Sequence, residues 1–189
     1  MANEKQKQKT NLVMVAASIA AFAHRDQKRK LDGTPYIFHP MAVAQKLACA
    51  GISDETTIAA ALVHDVFEDT DYSEEKLREE LGEEVVGIVK TLTSDNGLPW
   101  AEKKKNYAKN IRNGSLGVKL VAIADRIVNI ENLLDAYKKQ GTAVWPRFNA
   151  PREQKINFEE EMLAIFKETL NDPIVEDYEN LIGKEKALK

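Results

Sequence analysis

Ala59-Ala-Ala-Leu-Val-His-Asp-Val-Phe-Glu-Asp-Thr70 places one imidazole and three carboxylates inside an otherwise apolar run. On a helix each residue advances about 100°, so with His64 at zero, Glu68 falls near ~40°, Asp65 near ~100° and Asp69 near ~140°. The four ionisable groups then share one arc, interrupted only by Ala61, while Ala59, Ala60, Val63, Val66 and Phe67 cover the rest. A helix apolar over most of its circumference is predicted to be buried. Buried carboxylates lose their hydration and need compensation, which a divalent metal would supply. A solvated helix face with one satisfied histidine is the plainer alternative, and the flanking Ala, Leu, Val and Phe argue against it.

Working outward, Ser53 or Asp54 is predicted to cap this helix, and Ser73 the next, which ends at Leu81-Gly82. Upstream, Thr10 or Asn11 caps a first helix predicted to run to about Lys28, before a break at Gly33-Thr-Pro-Tyr36. Its positions Leu12, Val15, Ala16, Ile19, Ala20 and Ala23 repeat at i, i+3, i+4. That spacing favours an amphipathic helix over a secretory signal, the reading that Lys5, Lys7, Lys9 and Ala21-Phe-Ala23 would otherwise invite. A second helix begins near His39-Pro40, since proline is tolerated in a first turn. Downstream, Leu116 to Leu134 is apolar on a helical period and carries Asp125 and Asn129 on one face. Trp145-Pro-Arg-Phe-Asn-Ala-Pro151 reads as irregular, lining a pocket or packing a loop, and helices through Phe158 to Leu170 and near Ile174 to Ile182 close the chain. No period-2 alternation points to a strand. The expectation is a single all-α domain of about eight or nine helices over residues 1–189.

The 189 residues suit one domain burying roughly 70% of its unfolded surface. With 27 basic and 30 acidic residues the net charge is −3, which offers no global field for nucleic acid or an anionic membrane. A polyanionic substrate would have to meet a local cluster such as Lys28-Arg-Lys30. Twelve apolar residues near the N-terminus are too few to span a bilayer. The only cysteine, Cys49, excludes an internal disulfide and a thiolate zinc cluster and suits a reducing compartment, so a cytoplasmic location is expected.

Four stretches in order carry a resemblance: His24-Arg-Asp-Gln-Lys-Arg-Lys30, Gly33-Thr-Pro-Tyr-Ile-Phe-His-Pro40, Ala60-Ala-Leu-Val-His-Asp-Val-Phe-Glu-Asp-Thr70 and Lys119-Leu-Val-Ala-Ile-Ala-Asp-Arg-Ile-Val-Asn129. Over roughly residues 10–135 the chain resembles the HD-domain metal-dependent phosphohydrolases, and among them the stand-alone (p)ppGpp hydrolases related to the hydrolase half of the RelA/SpoT proteins. The resemblance implies a helical bundle on which helices over 151–184 pack, and removal of the 3′-pyrophosphate from a guanosine alarmone. It implies metal ligands at His39, His64, Asp65 and Asp125, usually for Mn²⁺, a catalytic acidic pair at Glu68 and Asp69, and substrate contacts at Arg29, Lys30 and Asn129. The partner implied is a small nucleotide.

The chain departs from the pattern at Trp100, where several relatives carry lysine, and at Val66-Phe67 and Val128. The Trp100 change bears on which nucleotide is preferred. The same fold acting on an adenosine alarmone, the 2′-phosphate of NADPH or a deoxynucleotide is one rival. A nucleotide sensor without turnover is another, opposed by the intact Glu68 and Asp69, and a purely structural helical domain is the third.

Overall fold

A computed structural model describes residues 11–95 and 97–189; Lys5, Lys7, Lys9 and the alternative cap Thr10 lie outside them. The described residues form ten α-helices: α1 (Leu12–Ala23), α2 (Phe38–Cys49), α3 (Glu55–Val63), α4 (Val66–Asp69), α5 (Glu74–Leu81), α6 (Glu83–Leu92), α7 (Trp100–Asn113), α8 (Leu116–Gln140), α9 (Arg152–Thr169) and α10 (Ile174–Lys186). α3 and α4 are two parts of the expected central helix, so counting them together leaves nine. No strand forms among the described residues, where Lys28 and Pro35 make an isolated bridge. None of the described helices is long and apolar enough to cross a membrane.

Side-chain caps set several boundaries. Asn11 accepts from the Met14 N–H, Asp54 from Thr57, Ser73 from Lys76 and Ser115 from Val118, each satisfying an orphan donor of a first turn. Gly82, at φ +85°, ends α5 in a conformation that side chains disfavour.

α3 lies at the centre, packed by α1, α2, α6 and α8. Its Ala59, Ala60, Ala61 and Val63 are fully buried against Ala16 and Ala20 of α1 and the apolar stripe of α8, so small side chains let the axes approach. Gly117 makes the same allowance, since a Cβ there would come within 2.9 Å of Ile88 and 3.1 Å of Thr57. α9 and α10 then cover the far side of α8.

Three expectations change in the folded chain. α1 stops at Ala23 rather than near Lys28, because the Arg29 N–H is bonded to the Thr34 carbonyl and Gln27 accepts from the Tyr36 N–H. Those groups pair across the loop instead of continuing the helix. The central helix is interrupted at His64-Asp65, where the His64 ring N–H takes the Ala61 carbonyl at 2.8 Å, diverting a helical acceptor to a side chain. The stretch after α8 is more regular than expected, with a 3₁₀ helix over Gly141–Arg147.

Candidate metal centre and substrate pocket

His39 comes from the first turn of α2, His64 and Asp65 from the break between α3 and α4, and Asp125 from the middle of α8. The fold brings all four together. His39 Nε2 lies 3.1 Å from Asp125 Oδ1 and 3.6 Å from Asp65 Oδ2, and His64 Nε2 lies 3.1 Å from Asp65 Oδ2 and 3.7 Å from Asp125 Oδ1. Donors of His39, His64 and Asp125 all fall within 4.8 Å of one another. Donors bound about 2.1 Å from a cation at adjacent octahedral corners stand about 3 Å apart, close to these separations.

The surroundings fit a cation as well. Because the Nδ1–H of His64 is given to the Ala61 carbonyl, its Nε2 carries the lone pair, and that buried Nε2 has no hydrogen-bond partner. Asn129 Nδ2 donates to Asp125 Oδ1 at 2.7 Å, and the Tyr36 hydroxyl donates to Asp65 Oδ2 at 2.6 Å. Two nitrogens and two carboxylates, oriented by partners, form a donor set suited to a divalent ion.

The electrostatics follow from burial opposed by neighbours. Burial pushes Asp65 up, but the charge and hydrogen bond of a protonated His64 outweigh it and bring the carboxyl to about 2; a cation held there would replace that proton on Nε2. Asp125 is likewise raised by burial and held well below its ordinary range by the adjacent His39 and His64 rings in their protonated form. Glu68 and Asp69 move the other way. Burial lifts Glu68 against an N–H from Ser94, whose nitrogen is 3.1 Å from Oε2, and burial with the nearby Asp65 charge lifts Asp69.

Glu68 and Asp69 line the same cavity of about 670 Å³ as the four donors. So do Arg29, Lys30 and Asn129. Arg147 secures the basic loop by donating to the Lys30 and Leu31 carbonyls at 2.8 and 2.9 Å, so the stretch after α8 both lines the pocket and pins its rim. Trp100 is in the wall too, edge-on to Phe158 with ring centroids 6.3 Å apart.

Several residues of this site escaped the reading of the sequence. Tyr36 lay in a quoted motif without a role. Arg126, next to Asp125, is buried and pairs with Glu159 at 2.9 Å. Glu159, fully buried, also accepts from Lys155 at 3.2 Å and from the Tyr178 hydroxyl at 2.6 Å. Its position three residues before Met162 and seven before Phe166 puts it on the apolar face of α9, a signal that the acidic run Glu159-Glu-Glu161 obscured.

Comparison with known proteins gives one consistent neighbourhood. A family profile described as HD domain matches residues 16–167. The guanosine-3′,5′-bis(diphosphate) 3′-pyrophosphohydrolase MESH1 of Mus musculus is 41% identical over 123 residues, covering 64% of this chain and 69% of that protein. A protein of Aquifex aeolicus named guanosine-3′,5′-bis(diphosphate) 3′-pyrophosphohydrolase is 40% identical over 121 residues, which are 62% of this chain and 17% of that longer protein. A solved structure described as a metazoan ortholog of SpoT that hydrolyzes ppGpp superposes with a TM-score of 0.79 at 30% identity, covering 94% of this chain and 97% of that one.

Proposed function

The chain belongs to the HD-domain family, and from that premise we propose that it is a metal-dependent hydrolase removing the 3′-pyrophosphate from guanosine 3′,5′-bis(diphosphate). The observation that carries this reading is the convergence of His39, His64, Asp65 and Asp125 in one cavity with an acidic pair and a basic loop. We assign those four residues to the ion, taken as Mn²⁺, Glu68 and Asp69 to proton handling, and Arg29, Lys30 and Asn129 to the substrate.

A divalent ion held there supplies Lewis-acid stabilisation of phosphoryl charge and acidifies water. The chain's own residues do the rest. Tyr36 and Asn129 fix the rotamers of Asp65 and Asp125, and the Ala61 carbonyl fixes the tautomer of His64. Glu68, held through one oxygen by the Ser94 N–H, works with Asp69 to accept the proton of the attacking water and to return one to the leaving group. Their raised pKa values bring them closer to neutrality, where such transfer is most effective, typically ~10²- to 10⁴-fold. Arg29 offers a two-pronged donor and Lys30 a point charge to the diphosphate.

In this reading residues 1–189 act as one domain in the cytoplasm on a small nucleotide, with no nucleic acid or membrane partner. The single cysteine and the net charge of −3 support that setting.

The test is pyrophosphate release from guanosine 3′,5′-bis(diphosphate) before chelation, after it, and after Mn²⁺ is restored, with the adenosine counterpart and NADPH in parallel. Activity should vanish and return. Full turnover by metal-free protein refutes the metal assignment, and a higher kcat/KM on the adenosine compound or NADPH refutes the guanosine one.

A further inference from the structure

Lys104 projects into the pocket from the second turn of α7. Its ammonium lies 4.8 Å over the Phe158 ring and 5.7 Å from the centroid of Tyr107, with Trp100 one helical turn before it on the same face of α7. Other cations around it have carboxylates. Arg126, whose guanidinium lies 5.3 Å over the same Phe158 ring, is closed by Glu159, and Lys155 bridges Glu159 and Glu185. Glu159 already accepts from three donors, so it has little left to offer. Among the described residues Lys104 makes no ion pair. A half-buried ammonium against aromatic faces, with the Arg126 cation nearby and Asp125, Glu159 and Glu68 acting on it only from beyond ion-pair distance, is poorly compensated in the free protein.

We propose that Lys104 receives a phosphoryl group of the substrate lying away from the metal, with Trp100, Tyr107 and Phe158 as the apolar walls of that subsite. The proposal rests on the nucleotide reading above. An anion rather than a neutral base is indicated because no carboxylate contacts the ammonium directly: three N–H donors on a poorly solvated cation gain most from phosphoryl oxygens. Water excluded by the aromatic walls strengthens the contact. Burial and the Arg126 charge bring the amine down to about 8, which agrees with a cation whose counter-charge arrives with the ligand. A substrate with diphosphates at both 3′ and 5′ carries such a second group when one diphosphate occupies the metal site.

The experiment compares guanosine 3′-diphosphates that differ only at the 5′ position, diphosphate against hydroxyl, in the Mn²⁺-loaded protein. In Lys104→Met the ratio of kcat/KM for the 5′-diphosphate over the 5′-hydroxyl substrate should fall roughly tenfold to a hundredfold, through KM. Lys104→Arg, which keeps the charge, should retain most of the ratio. Melting provides the readout that a structural lysine would not move in this direction: removing a half-buried cation that has no ion pair should leave Tm equal to or above wild type. A ratio equal to wild type in Lys104→Met overturns the proposal. If the wild type hydrolyses neither guanosine compound, the proposed function fails on its own, and Lys104 is read instead from calorimetric binding of GDP against guanosine. Loss of the phosphate-dependent gain in Lys104→Met then supports the subsite, and a gain as large as wild type overturns it.

Discussion

Arg126→Met should destabilise the protein by leaving Glu159 short of its largest compensating charge. Glu159 is fully buried and held by Arg126 at 2.9 Å, Lys155 at 3.2 Å and Tyr178 at 2.6 Å. Stripping a buried charge of its partner costs about 3–5 kcal/mol. Two of three donors survive here, so a loss of about 2–3 kcal/mol is expected, or about 4–12 °C in Tm for a chain of this size. The pH dependence gives a sharper test. In the wild type, burial raises Glu159 but Arg126 and Lys155 bring it below its ordinary value, so its contribution is present above the unfolded pKa and lost as pH falls through the folded one. Without Arg126 burial dominates and the folded pKa rises above the unfolded value. Protonation then relieves the mutant as pH drops, and the Tm gap to wild type should narrow from pH 8 to pH 5. Replacing both partners, Arg126→Met with Glu159→Leu, should recover much of the loss. Scanning calorimetry across that range decides it. A gap that is absent at pH 8, or that widens toward pH 5, refutes the account of Glu159 as a compensated buried charge.

Glu68→Gln should keep the metal, measured by atomic absorption after dialysis, yet lose about 10²-fold or more in kcat; loss of metal with an unchanged rate per bound ion would make Glu68 a ligand. Tyr36→Phe and Asn129→Ala, which remove donors to Asp65 and Asp125, should each weaken Mn²⁺ binding by about 10- to 100-fold in calorimetric titration, and unchanged affinity would contradict their orienting role. Arg29→Ala and Lys30→Ala should raise KM for the tetra- and pentaphosphate substrates, with losses that shrink as salt screens the contact; a loss independent of ionic strength would argue for a packing role. Trp100→Lys should change the ratio of kcat/KM among guanosine compounds, adenosine compounds and NADPH, because it trades an indole beside Phe158 for a charge, and constant ratios would remove residue 100 from the specificity argument.

Local chemistry was legible in the chain because it is written in spacing. Helical periods located α1, α3, α8 and α9, the caps narrowed to Thr10 or Asn11 and to Ser53 or Asp54, of which Asn11 and Asp54 accept the orphan N–H groups, and the family resemblance carried by the ordered motifs, rather than spacing alone, pointed to His39, His64, Asp65 and Asp125. What the spacing leaves open is which residues distant in sequence share a dielectric and a set of partners. Only the packing of α9 and α10 against α8 turns Glu159 from one of three surface-like acids into the buried anchor of Arg126, and only the packing of α7 beside Phe158 sets Lys104 against aromatic rings without a directly paired carboxylate. The break at His64-Asp65 is of the same kind, since it coincides with a buried ring N–H competing for a backbone carbonyl at the edge of the pocket. Periodicity reports each residue's direction from its own axis; burial, charge compensation and the aim of a ligand depend on what the other helices place opposite it.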